Sequence, residues 1–197
     1  DTHDNVVAAL ERATTTRDLS QYVIRGAPSD ETLYELLLPN FVGANKTIVW
    51  IGGSIGIEVQ EHLMSFLNQG GRMLMAMQDN RTMRYGRRFA SEVLHITQSR
   101  SSAKGLLYGL DLHAPEPIES TYRILNLQMP AEPMLFDEHY NAAAMRVDTG
   151  TFRAVFLPFN PGFLDEDMAA SLIQSSLTFL SSSSIPATIE FPESEEE

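Results

Sequence analysis

Apolar positions between Thr47 and Asp79 fall into two different periods. TIVWI is a continuous run of β-branched and aromatic residues, closed by Gly52 and Gly53. In SIGIEVQEHLMSFLNQ, Val59, Leu63, Phe66 and Leu67 recur at helical spacing, with Glu58, Gln60 and Glu61 off the stripe. Asn68 to Gly71 ends the helix, because glycine supplies the positive φ of a helix stop. MLMAM, Met73–Met77, then shows no polar alternation. Strands apolar on both faces belong inside parallel sheets. The pattern predicts a right-handed βαβ unit with Thr47–Ile51 and Met73–Met77 adjacent or nearly so.

The rest of the chain reads less evenly. Val6, Val7 and Leu10 share a helical face within residues 4–13, and Asp4 can cap it. Leu19–Ile24 suits a strand, and Asp30–Leu38 a helix with acidic residues in its first turn, stopped by Pro39 and Asn40. A helix is expected over Thr82–Leu94. From Ser99 to Pro133, Pro115, Pro117, Pro130 and Pro133 argue against long regular elements, leaving short strands at Leu106–Leu110 and Tyr122–Leu127. Ala142–Val147, a DTG turn and Phe152–Leu157 read as a late hairpin. Asp165–Leu180 is an amphipathic helix with Met168, Leu172, Ile173, Leu177 and Leu180 inward. Residues 1–182 then form one domain, and the acidic 183–197 a linker or the start of another module.

The words TIVWIGG, FLNQGGRMLMAMQD and FRAVFLPFNPGFLDEDMAASLIQSSLTFL, in that order, resemble the class I glutamine amidotransferase-like superfamily. The likeness is to its degenerate, non-enzymatic domains within larger secreted or envelope proteins, and it covers about two-thirds of the chain. It implies an α/β fold: a three-layer flavodoxin-like, mostly parallel sheet with helices on both faces. The family begins with a strand, and DTHDNVVAAL starts just after its expected place. Its enzymes carry a cysteine nucleophile on a strand-to-helix elbow. This chain has no cysteine, so that chemistry does not carry over.

Composition narrows the function classes. The chain has 197 residues, 43% of them hydrophobic, enough for one substantial core. No stretch approaches the roughly 18 apolar residues of a membrane span, so no membrane insertion is expected, and no signal peptide opens the sequence. Asp1 is not a natural start, so a processed or trimmed N-terminus is expected. The net charge of -12 argues against nucleic acid and anionic membranes. The missing cysteine excludes disulfides and thiolate metal sites without fixing a compartment.

Candidate chemistry sits where strands end. Gly53 and Ser54 follow the first buried strand, Gln78 and Asp79 the second, and Asn160 the segment FLPF. In open α/β sheets ligands bind at the carboxyl edge, so these five residues are the expected binding rim. Tight turning and helix capping are the plainer roles for the glycines and for Gln78–Asn80. GGSIG, with Ser54 at its centre, matches the G-x-S-x-G pattern of serine hydrolases, which also need a histidine and an acid in reach. Asp111–His113 and Asp137–His139 could supply metal ligands, but neither has the spacing of a helical zinc pair, and surface loops are the plainer reading. Arg81, Arg84, Arg87 and Arg88 could meet an anion or pair with Glu58, Glu61 or Glu92. No metal or cofactor is expected. The reading is a non-catalytic scaffold or interaction module of a larger, exported protein, extracellular or in the cell envelope. Its partner would be another protein or neighbouring domains of the same polypeptide. The alternative is a serine hydrolase using Ser54 with a loop histidine.

Overall fold

The computed structural model describes residues 7–12, 47–52, 55–77, 87–109 and 117–182. Residues 7–12 are helical (α1). There follow β1 (Thr47–Ile51), α2 (Ile57–Asn68), β2 (Arg72–Ala76), α3 (Arg87–Glu92), β3 (Ile96–Gly109) and β4 (Ile118–Leu127). Then come β5 (Ala131–Phe136), β6 (Ala142–Asp148), β7 (Arg153–Leu157), a 3-10 turn (Pro161–Phe163) and α4 (Glu166–Ser181). The segments expected at 19–24 and 30–38, and the tail 183–197, lie outside the described residues.

The βαβ unit forms as the apolar pattern predicts. β1 and β2 pair in parallel, from Thr47 opposite Arg72 to Ile51 opposite Ala76. α2 joins them and buries Val59, Leu63, Phe66 and Leu67. Two glycines end it for different reasons. Gly70 adopts a φ of 90°. At Gly71 a Cβ would lie 2.5 Å from the Phe66 ring, so the close packing of that ring requires glycine. β7 is the second parallel neighbour of β2 and is buried along its whole length. β1, expected to be buried on both faces, is only partly so, and it ends the row of described strands.

Beyond β7 the expectation of a three-layer flavodoxin-like, mostly parallel sheet fails. Seven strands among the described residues follow the order β1-β2-β7-β6-β4-β3-β5. Only β1–β2 and β2–β7 are parallel; the pairings β3–β4, β3–β5, β4–β6, β5–β6 and β6–β7 are antiparallel. The fold implied by the class I glutamine amidotransferase-like resemblance is corrected accordingly. That resemblance rested on words from residues 47–79 and 152–180, and the antiparallel strands come mostly from the stretch between them. The late hairpin β6–β7 is present, with Met145 opposite Phe156 and Asp148 opposite Arg153.

Four of these pairings close on themselves: β6–β4, β4–β3, β3–β5 and β5–β6. Such closure leaves these strands fewer unpaired backbone groups to template aggregation. The prolines do not shorten them. Pro117 precedes β4, Pro130 sits in the β4–β5 turn, and Pro133 lies at a register shift between β5 and β6, where a missing N–H is tolerated. β3 is 14 residues long and its register against β4 shifts twice, between Ile96 and Gln98 and between Ser99 and Ser102. Bulges of this kind bend a strand pair, which suits the closure.

Apolar clusters form on the two faces. Leu74, Ala76, Val155 and Leu157 point to one, with Leu172, Ile173 and Leu177 of α4 and Ala9 of α1. Met73, Met75, Ala154 and Phe156 point to the other, with Leu63 and Leu67 of α2 and Phe89 of α3. α4 starts at Asp165, whose carboxylate accepts the Met168 amide at 2.9 Å and so satisfies an orphan donor. No helix among the described residues is long and apolar enough to cross a membrane.

Candidate functional site

Because β1, β2 and β7 are parallel and in register, Ile51, Ala76 and Leu157 finish at one edge. The Gly52 amide donates to Ala76 O at 3.0 Å and the Met77 amide to Leu157 O at 2.9 Å, so the ladder continues to the last described residues. Gly53, Ser54, Gln78 and Asp79, predicted to line this rim, lie outside the described residues. Asn160 lies within them, after the buried Phe159. Its Oδ1 accepts the Gly162 amide at 2.9 Å, so it caps the 3-10 turn.

Asn160 also lines a groove of about 460 Å³ with Phe159, Phe163, Lys104, Glu119, Ser120 and Thr121. The β3–β4 ribbon therefore meets the loop that follows β7. Along β3 the side chains alternate: Lys104, Leu106 and Tyr108 are exposed, while Leu107 is buried. Phe163, which lines the groove, keeps 66% of its surface, and on β3 Leu106 and Tyr108 keep 42% and 45%, so each is an apolar side chain that nothing described covers. Lys104 and Glu119 pair at 3.3 Å in solvent, where such a pair contributes little stability. The arrangement offers apolar contact with polar groups at its border.

Sequence reasoning found Asn160 and missed Lys104, Leu106, Tyr108, Glu119 and Phe163. The alternation over Lys104–Tyr108 was a usable signal. The polar run QSRSSAK before it hid the strand, since its side chains lack the apolar period of a half-buried strand.

Asp137, considered as a metal ligand, has another task. The residue is buried, and its carboxylate accepts bonds from the His139 amide (2.9 Å), the Asn141 amide (2.8 Å), Asn141 Nδ2 (2.9 Å) and Tyr122 OH (3.3 Å). These bonds engage both oxygens and shape the β5–β6 turn. Burial pushes the Asp137 pKa up, but the bonds from Asn141, His139 and Tyr122 outweigh it and hold the carboxyl below its usual range. The Tyr122 phenol is raised, first by burial and then by the Asp137 charge. The His139 ring is exposed, 3.6 Å from Glu138 Oε1. Asp111 and His113 lie outside the described residues, and among the described ones no three His, Cys, Asp or Glu side chains converge to hold a metal.

Of the arginine cluster, Arg88 pairs with Glu92 at 3.0 Å one helical turn on, as the spacing suggested. Arg81 and Arg84 lie outside the described residues. His62 is exposed on α2. His95 precedes β3 with a φ of 50°, and its Nε2 is buried without a hydrogen-bond partner among the described residues.

No protein-family model matches the sequence, and no curated protein matches it. Solved structures do share its shape. The mmIFT52 N-terminal domain superposes with a TM-score of 0.60 at 13% identity, over 91% of this chain and 91% of that one. The exo-beta-1,4-mannosidase Op5Man5 from Opitutaceae bacterium strain TAV5 gives a TM-score of 0.48 at 15% identity, over 69% of this chain. This chain spans 23% of that mannosidase's length. The first likeness shows a shared fold, that of the mmIFT52 N-terminal domain. It stands in place of the resemblance to the class I glutamine amidotransferase-like superfamily, and the flavodoxin-like description goes with it.

Proposed function

We propose that the chain is a non-catalytic scaffold or protein-interaction module of a larger, exported protein, extracellular or in the cell envelope. The observation that carries the reading is the exposure of large apolar side chains, Leu106 and Tyr108 on one face of β3 and Phe163 at the groove. Large apolar groups clustered on a surface and bordered by polar residues mark contact sites. The Ser- and Glu-rich segment 183–197 suits a connection to neighbouring domains of the same polypeptide.

A photo-crosslinking residue placed at Tyr108 in the parent protein tests this. Crosslinks to a neighbouring domain or a partner are expected there, absent from the same probe at Glu61 and lost when Leu106→Asp is added. Equal crosslinking at both positions would count against the surface. Stoichiometric fluorophosphonate labelling, abolished by Ser54→Ala, would replace the reading with the hydrolase alternative.

A further inference from the structure

We propose that a notch at the opposite, amino-terminal edge of the parallel strands binds a single carboxylate group. Thr47, Arg72, Arg153 and Asp148 stand in register on four adjacent strands, β1, β2, β7 and β6. Residues directly opposite each other in a sheet share a face, and like charges placed so are destabilising. Arg72 and Arg153 are such a pair.

Their surroundings differ. Arg153 is buried and fully engaged: it meets Asp148 Oδ2 at 2.7 Å and Phe179 O at 3.2 Å, and it also bonds Ser182 O and, at 2.9 Å, Ser182 Oγ. Arg72 is half-buried, and among the described residues its guanidinium has no hydrogen bond or ion pair. Two guanidinium groups and one carboxylate leave one net positive charge in the row.

A notch of about 210 Å³ opens there, lined by Arg72, Arg153, Asp148, Thr151, Phe152 and Ser182. A water takes up about 30 Å³ of liquid, so the notch holds a carboxylate and a few waters. The planar guanidinium fork of Arg72 matches a carboxylate with two parallel N–H···O bonds. The neighbouring loop is already closed on itself, the Gly150 amide bonding Asp148 Oδ1 at 2.9 Å and the Thr151 amide bonding Thr149 Oγ1 at 3.3 Å. Arg72 is thus the group left to receive a ligand, and a carboxylate beside it offsets the like-charge pair. The chain's net charge of -12 repels polyanions, so a singly charged group suits the site. Its source is a small free acid or one acidic side chain of a partner protein.

Acetate titration of the full chain, followed by amide NMR, tests the inference. The Thr151 and Ser182 amides are expected to shift saturably, with no such shift from chloride at equal ionic strength. Arg72→Gln should abolish the shift, and Arg72→Lys should keep it at about tenfold weaker affinity. Without acetate, Arg72→Gln should melt at or above the wild-type temperature, because it removes the like-charge contact. A blocked peptide with one glutamate separates the sources: binding tenfold tighter than acetate assigns a partner side chain, and equal binding a free acid. Absent saturation, equal shifts in Arg72→Gln, or a lower melting temperature for Arg72→Gln overturns the assignment.

Discussion

Tyr122 donates its phenolic hydrogen to Asp137 across 3.3 Å, tying the middle of β4 to the turn between β5 and β6. The contact spans two hairpins, and both residues are buried. It explains why an acid that looks like a loop ligand in the sequence is inside the structure: its charge organises a turn.

Replacing Asp137 by alanine leaves the Asn141 and His139 amides and the Tyr122 hydroxyl without their acceptor. Hydrogen bonds to a charged group contribute about 1.5–3 kcal/mol each, so a loss of at least about 2 kcal/mol is expected in urea unfolding at pH 7. The pH sign follows from the lowered pKa. The stabilisation is complete above the unfolded value of about 3.9 and is lost as pH falls through the lower folded value. Asp137→Asn should flatten that acid limb; a variant as acid-sensitive as wild type would contradict this.

His95 adds a second pH dependence. Burial lowers its pKa. The unfolded chain therefore takes up the proton first, at about pH 6.5. The contribution is complete above that pH and is lost as pH falls through the folded value. His95→Asn keeps a residue tolerant of positive φ and removes the titration. Urea midpoints at pH 7.5 and 5.0 should differ less in the variant than in wild type.

Gly71→Ala should cost about 1–3 kcal/mol, the usual cost of overpacking, because the new methyl meets the buried Phe66 ring 2.5 Å away. Adding Phe66→Leu makes room. The double variant should be more stable than the sum of the two single losses predicts, as read from a thermal double-mutant cycle.

Arg153 joins Asp148 of β6 to the last turn of α4 through Phe179 and Ser182, and its guanidinium lies 5.6 Å from the centre of the Phe179 ring. Arg153→Ala removes the buried charge, its carbonyl contacts and the cation–π contact together. A loss of about 2–3 kcal/mol is expected, moderated because Asp148 is 34% exposed and rehydrates. Hydrogen exchange should accelerate at Ser182, whose amide bonds Thr178 O at 3.0 Å, and leave the Met168 amide at the other end of α4 unchanged.

The sequence alone determined the local elements that carry a strong period. TIVWI, the Val59–Leu67 stripe and MLMAM specify a parallel βαβ unit, because continuous apolar runs and a one-faced helix need little context to be read, although β1 is only partly buried in the fold. The DTG hairpin and α4 were legible for the same reason. The tertiary structure alone decided how the middle of the chain pairs. The sequence from Gln98 to Lys104 is polar and lacks an apolar period, so its pairing with β4, rather than its own pattern, makes it a strand. The prolines looked like interruptions until turns and a register shift received them. At the rim, sequence order could place Asn160 after a strand end. It could not place Lys104 and Glu119 beside it, because that contact depends on where a long antiparallel ribbon comes to rest. Nor could it set Arg72 opposite Arg153. Residues 81 apart in sequence become neighbours only through strand register, which packing and hydrogen bonding fix in three dimensions.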